Sequence, residues 1–103
     1  MTRLEKLQEM LRDSPDDEFL VYALGMEFAS AERHADALQA FARVIDLDPQ
    51  HHAAMFQQAQ LLVRMGRLEE ARRAAATGAA AARNRGDQHA ADEIGGFLAS
   101  LAE

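Results

Sequence analysis

One stretch, Val21 to Pro49, limits what this chain can fold into more than any other. Val21, Leu24, Gly25 and Phe28 follow one another at spacings of three, one and three, and Ala37, Phe41 and Val44 at spacings of four and three. Both series keep the 3.6-residue period that gathers side chains on one face of an amphipathic helix. Ser30 to Arg33 is a short polar break of the kind that joins antiparallel helices. Gly25 and Ala37 are small where the two backbones of a hairpin must approach, and Phe28 and Phe41 fill the space beside them. Burying each phenylalanine contributes about 1.5–3 kcal/mol. Asp48-Pro49 ends the second helix, because the residue before a proline is driven out of the α region.

The series Val21-x2-Leu24-Gly25-x2-Phe28, Ala37-x3-Phe41, Pro49 resembles the tetratricopeptide repeat. That family's signature is W-x2-L-G-x2-Y, then A-x3-F, then P, with a period of about 34 residues. Here Val replaces Trp and Phe replaces Tyr. Pro15 precedes Pro49 by one period. The next shift gives a degraded copy at Met55, Gln58, Ala59, Leu62, Ala71, Ala75 and Gly78. Its turn, Met65-Gly66-Arg67-Leu68-Glu69-Glu70-Ala71, strongly resembles the family's inter-helix turn. The resemblance runs over residues 15–82. It implies a small bacterial-type domain of about two full repeats with flanking helices: all-α, a right-handed superhelix of antiparallel helix hairpins. The expected organisation is one domain, 1–103, with a half-repeat helix at 1–14, repeats at 15–49 and 50–84, and a capping helix at 87–102.

Six helices are therefore expected. The first, 2–13, has Thr2 as N-cap with Glu5 three residues on, a capping box, and a stripe of Leu4, Leu7, Met10 and Leu11. In the repeat register it is a second helix whose first is missing, and it should cover the open end of repeat one. The hairpins are predicted at 17–31 with 34–47 and at 51–65 with 67–84. Arg83 stands where the second repeat should have its proline, so that helix should run to Asn84 or Arg85 before Gly86 closes it. Asp87 reads as the N-cap of the last helix, 88–102, with the stripe Ala91, Ile94, Phe97, Leu98 and Leu101. Gln88, His89, Asp92 and Glu93 should face water. Gly95-Gly96 in mid-helix costs about 1 kcal/mol per glycine against alanine; close approach to the preceding helix would explain it, and plain tolerance or a fraying end is the alternative. The sum, three hairpin equivalents, meets the minimum for a repeat array to bury a continuous core and can be a complete domain.

Composition narrows the function. Alanine-rich helices bury little apolar area each, which suits a stack in which each hairpin covers the next. The chain has no cysteine, which excludes disulfides, thiolate catalysis and Cys-ligated zinc. The N-terminus mixes charges with leucines and does not read as a secretory signal. The alanine run 79–82 is far too short to span a bilayer. A cytoplasmic protein that does not act at a membrane is expected. The net charge of −6 argues against a nucleic-acid partner. Charge is uneven, with −6 over residues 16–50, +4 over 51–86 and −4 over 87–103. Solvated helix faces or electrostatic attraction of a charged partner would both produce this.

No catalytic constellation emerges, and an enzyme is not expected. His34 replaces the Leu68 of repeat two and should be half-buried in the turn. His51 and His52 point to different sides of a helix start. His89 lies near Asp92 and Glu93, yet none of the four histidines reproduces a zinc spacing. Asp46 and Asp48 read as turn chemistry. No phosphate loop and no nucleophile elbow is present, and neither a cofactor nor a metal is expected.

The first helix of repeat one keeps apolar residues after its core stripe is assigned. Phe19, Tyr22, Met26 and Ala29 recur at three, four and three, a second helical stripe. The matching positions in repeat two are Ala53, Phe56, Gln60 and Val63, edged by Gln57, Gln60 and Arg64. A helix apolar nearly all round is normally covered on both sides. The resemblance implies that the first helices line the concave face and that these positions face a ligand. The expected function is a non-catalytic protein-interaction module, with a peptide or partner helix anchored by Tyr22, Met26 and Phe56. The alternatives are a homodimer in which two copies cover each other's stripes, and tight packing that leaves little of the stripe free. Family members that clamp a chaperone's C-terminal carboxylate place Lys, Asn and Arg at these positions. Tyr22, Met26, Gln57 and Gln60 with Arg64 as lone cation point instead to an apolar ligand.

Overall fold

The computed structural model describes residues 1–101. Among them are six α-helices and no strand: α1 (Arg3–Asp13), α2 (Glu18–Ser30), α3 (His34–Leu47), α4 (His52–Arg64), α5 (Leu68–Asn84) and α6 (Gln88–Ser100). The expected termination of the last helix at Ala102 lies outside the described residues. The chain divides into two compact units, Met1–Pro49 and a second that begins at Gln50.

Local chemistry sets the helix boundaries. The Thr2 hydroxyl accepts from the Glu5 N–H at 3.1 Å while the Thr2 N–H donates to the Glu5 carboxylate at 2.9 Å. This is the reciprocal box expected at the start of α1. Asp17 accepts from the Leu20 N–H at 3.1 Å, and Asp87 from the Ala90 N–H at 3.0 Å. Each satisfies a donor that the first turn of a helix leaves unpaired. His51 caps α4 in the same way, its Nδ1 accepting from the Ala54 N–H at 3.1 Å.

Helices α2, α4 and α5 all close on a left-handed residue. After α2 the Glu32 N–H donates to Ala29 C=O at 3.0 Å and the Arg33 N–H to Phe28 C=O at 2.9 Å. Gly66 and Arg67 repeat the pair onto Val63 and Leu62, and Gly86 and Asp87 onto Arg83 and Ala82. This double bond pattern needs a positive φ at its turning residue. Glycine supplies it at Gly66 (75°) and Gly86 (76°), but Glu32 supplies it at 58°.

In the first unit α2 and α3 form the hairpin. Ala37, Phe41 and Val44 are wholly buried and Val21, Phe28 and Ala40 nearly so. A Cβ on Gly25 would lie 2.7 Å from the Phe41 ring, so the close approach expected at this glycine is present. Helix α1 packs on α2 through a buried Leu7. Arg43 of α3 donates to Pro15 C=O at 2.8 Å and to Asp16 at 2.6 Å, tying the turn after α1 to the hairpin. The Arg33 guanidinium stacks over the Phe28 ring at 4.6 Å.

In the second unit α4, α5 and α6 pack in sequence around a core of Ala59, Ala75, Ala79, Ala82, Ala91 and Ile94. Phe56, Phe97 and Leu98 border it. Gly78 is tight here, since a Cβ would lie 3.2 Å from that of Met55. Arg72 closes the unit by donating to Leu101 C=O at 2.8 and 3.1 Å. The expected explanation for Gly95-Gly96 is wrong. Nothing lies within 4 Å of a Cβ built on either residue, so neither serves an approach to the helix before it.

Candidate protein-interaction surface

The two stripes of α2 lie on opposite sides of the helix. One side is the core just described. On the other, Phe19 is 79% exposed and Met26 is 37% exposed. Between them Tyr22 is half-buried, its ring tilted against Phe41 with centroids 5.5 Å apart. Ala29 is half-buried as well. The face is thus a sill: Tyr22 rests on the hairpin core, and Phe19 and Met26 stand free on either side. Burying a side chain of either kind is worth about 1.5–3 kcal/mol, so both hold stabilisation that this unit does not use.

The corresponding residues of α4 are less open. Phe56 is half-buried and meets Phe97 edge to face, with centroids 5.3 Å apart. Gln57, Gln60 and Val63 are half-buried, and Arg64 is exposed. The contact with Phe97 was invisible to a reading that compared α4 only with α2. It depends on α6, whose register against α4 is not the simple period of 34.

A further concavity was not anticipated. Leu11, Val21, Leu24, Phe28 and Ala40 line a groove of about 500 Å³ between α1 and α3, rimmed by Asp36, Gln39 and Arg43. It opens on the opposite side of α2 from Phe19 and Met26. A half-buried Leu24 in the core stripe was the available signal.

The shifted titratable groups lie at a helix cap and a turn. The N–H and hydroxyl of Thr2 hold the Glu5 carboxyl below its usual range. The Arg67 guanidinium does the same for Glu70, and Glu70 in turn raises Arg67. His34 is half-buried, with a buried Nδ1 that has no hydrogen-bond partner. His52 Nε2 stands 3.6 Å from the Asp87 carboxylate. Among the described residues no group of three His, Cys, Asp or Glu side chains is placed to hold a metal ion, and no helix is long and apolar enough to cross a membrane.

The geometry agrees with what the chain is similar to. A protein of Bordetella parapertussis known from its solution structure is 33% identical, with a TM-score of 0.86 over 98% of this chain and 88% of that one. A tetratricopeptide repeat domain protein of Salinibacter ruber is 26% identical, with a TM-score of 0.79 over 84% and 88%. PcrH, solved in complex with the chaperone-binding region of PopD, shares the fold at 19% identity, with a TM-score of 0.89 over 95% and 74%. No curated protein matches the chain. The model of the tetratricopeptide repeat matches residues 28–92, well over half of the sequence, and the chain belongs to that family.

Proposed function

We propose that this chain is a non-catalytic protein-interaction module that takes a peptide or a partner helix on the second apolar stripe of its first helices, the stripe expected to face a ligand. On α2 the contact residues are Phe19, Tyr22 and Met26. On α4 they are Phe56, Gln57, Gln60, Val63 and Arg64. The observation that carries the reading is Phe19, an aromatic ring 79% exposed beside Tyr22 and Met26 on one face of α2. Isolated exposed apolar residues are ordinary, but an aromatic and a methionine in line on one helix face form an anchor and an adaptable contact. The fold is compatible with such use, since PcrH was solved with a segment of PopD bound.

The structure also selects the variants. Tyr22 and Phe56 lean on core rings, so charging them would mix binding with stability. Phe19→Asp with Met26→Asp removes the sill from the outside. The double variant should keep its helicity and melting temperature while losing its partner in affinity capture. Equal recovery of the partner by wild type and double variant would refute the assignment of this face.

A further inference from the structure

Helices α2, α4 and α6 are capped from corresponding positions by different chemistry. Asp17 and His51 stand one period of 34 residues apart, and Asp87 follows His51 by the 36 residues that separate the starts of α4 and α6. Each side chain accepts from the backbone N–H three residues on: Asp17 from Leu20 at 3.1 Å, His51 from Ala54 at 3.1 Å and Asp87 from Ala90 at 3.0 Å. Such an N–H lies in the first turn, where the helix itself offers it no acceptor. At α2 and α6 the acceptor is a carboxylate oxygen. At α4 it is the imidazole Nδ1, so the ring is neutral and carries its proton on Nε2.

The imidazole cap is compatible with one protonation state only. A doubly protonated ring has two donors and no acceptor. Protonation of His51 therefore breaks the bond to Ala54, a wholly buried residue, and takes that partner from its N–H. It also sets a positive charge at the positive end of the α4 dipole. Arg85, at the end of α5, lines a recess of about 80 Å³ with His51, His52 and Ala53, so the new charge would stand beside a second cation. Asp87, before α6, faces His52, whose Nε2 lies 3.6 Å from its carboxylate. Asp48 stands three residues before His51. Attraction by an acid eases the entry of a proton, but it does not restore the lone pair that the proton has taken.

We infer that His51 is a proton-sensitive cap, so that mild acid uncaps α4 while α2 and α6 keep their caps. A carboxylate retains its lone pairs throughout the interval in which imidazole ordinarily titrates, about pH 5 to 8. The direction follows from linkage. Capping and protonation of His51 exclude each other, so the stabilisation is complete while the ring is neutral and is lost as the pH falls through its titration. His52 works the other way, since its charge attraction to Asp87 exists only in the protonated state. The two adjacent histidines thus oppose each other on acidification, one loosening the start of α4 and the other tying it to the turn before α6. The device does not depend on the docking face proposed above.

Amide hydrogen exchange, read residue by residue by NMR at about pH 7.5 and about pH 5, tests this. Protection of the Ala54 N–H, corrected for the intrinsic rate at each pH, should fall about five- to tenfold in acid, the loss of one cap. Leu20 and Ala90, held by carboxylates, are references inside the same molecule and should change little. The nitrogen-15 spectrum of the His51 ring should show the Nε2–H tautomer at the higher pH, and its titration midpoint should coincide with the loss at Ala54. His51→Asn, which keeps an oxygen acceptor, should abolish the pH dependence at Ala54, and His52→Gln should not. The comparison of the three amides needs no variant, so it holds even if His51→Asn disturbs the fold. Equal protection of Ala54 at both pH values, a fall shared equally by Leu20 and Ala90, or the same fall in His51→Asn would each overturn the inference.

Discussion

The approach of Gly25 to Phe41 in the first hairpin offers a sharp test of its packing. Phe41 is wholly buried, and its Cε1, Cδ1 and Cζ atoms lie 2.7–2.9 Å from the place a Cβ on Gly25 would occupy. Phe41→Ala removes the ring and should cost about 3–5 kcal/mol. Gly25→Ala in the wild type has two opposed effects. Helix propensity contributes about 1 kcal/mol, while forcing a methyl group into the ring costs about 1–3 kcal/mol. The net effect is no gain, or a loss of up to about 2 kcal/mol, from those two ranges. In the Phe41→Ala background the ring is gone and only the propensity gain remains. Gly25→Ala should then stabilise by about 1 kcal/mol. The coupling between the two sites is the overpacking cost, about 1–3 kcal/mol, as expected for residues in contact. The chain has one tyrosine and no tryptophan, and Tyr22 sits against Phe41, so tyrosine fluorescence during urea unfolding reports on this hairpin. Trimethylamine oxide in every sample would keep the weakest variant folded. The same effect of Gly25→Ala in both backgrounds would refute the packing argument.

Other substitutions probe the turns and caps. Glu32→Gly should stabilise by about 0.5–1 kcal/mol in urea unfolding, because a side chain in the left-handed region costs about 1–2 kcal/mol and glycine returns part of that through its unfolded-state freedom. His51→Ala should destabilise by about 0.5–2 kcal/mol, while His51→Asn, which keeps an acceptor for the Ala54 N–H, should be nearly neutral in the same assay. Glu5 has a lowered folded-state pKa, so its contribution to α1 is complete above the ordinary glutamate value and is lost as the pH falls through its folded value. The amide resonance of Glu5 should report that acid transition, and Glu5→Gln should abolish it while keeping the box.

The repeat arithmetic made most of the fold legible. Phe41 and Gly25 stand one helical face apart in the sequence pattern and meet in the structure, and α3 runs from His34 to Leu47 as predicted. Gly86 closes α5 where the missing proline left the boundary to glycine. What the pattern could not show depends on contacts outside the period. Phe97 of α6 reaches Phe56 of α4, and α6 begins 36 residues after α4 rather than 34. Nor could spacing decide between the two explanations for Gly95-Gly96; close approach to the preceding helix fails, since nothing lies within 4 Å of a Cβ built on either glycine. Of the proposed surface, Phe19 and Met26 were legible as a stripe. How far Tyr22 and Phe56 lean into the core was not, since spacing fixes a helix face but not the depth of its neighbour.

The claim on which this account rests is that the α2 sill is where another protein docks. A photo-crosslinking amino acid placed at Phe19 tests it, with the same probe at the exposed Gln39, on the groove side of α2, as reference. Mass spectrometry after irradiation in the native host should find one defined segment attached at position 19, absent at position 39 and lost when Met26 is changed to Asp. Adducts that are the same at both positions, or indifferent to Met26, would contradict it.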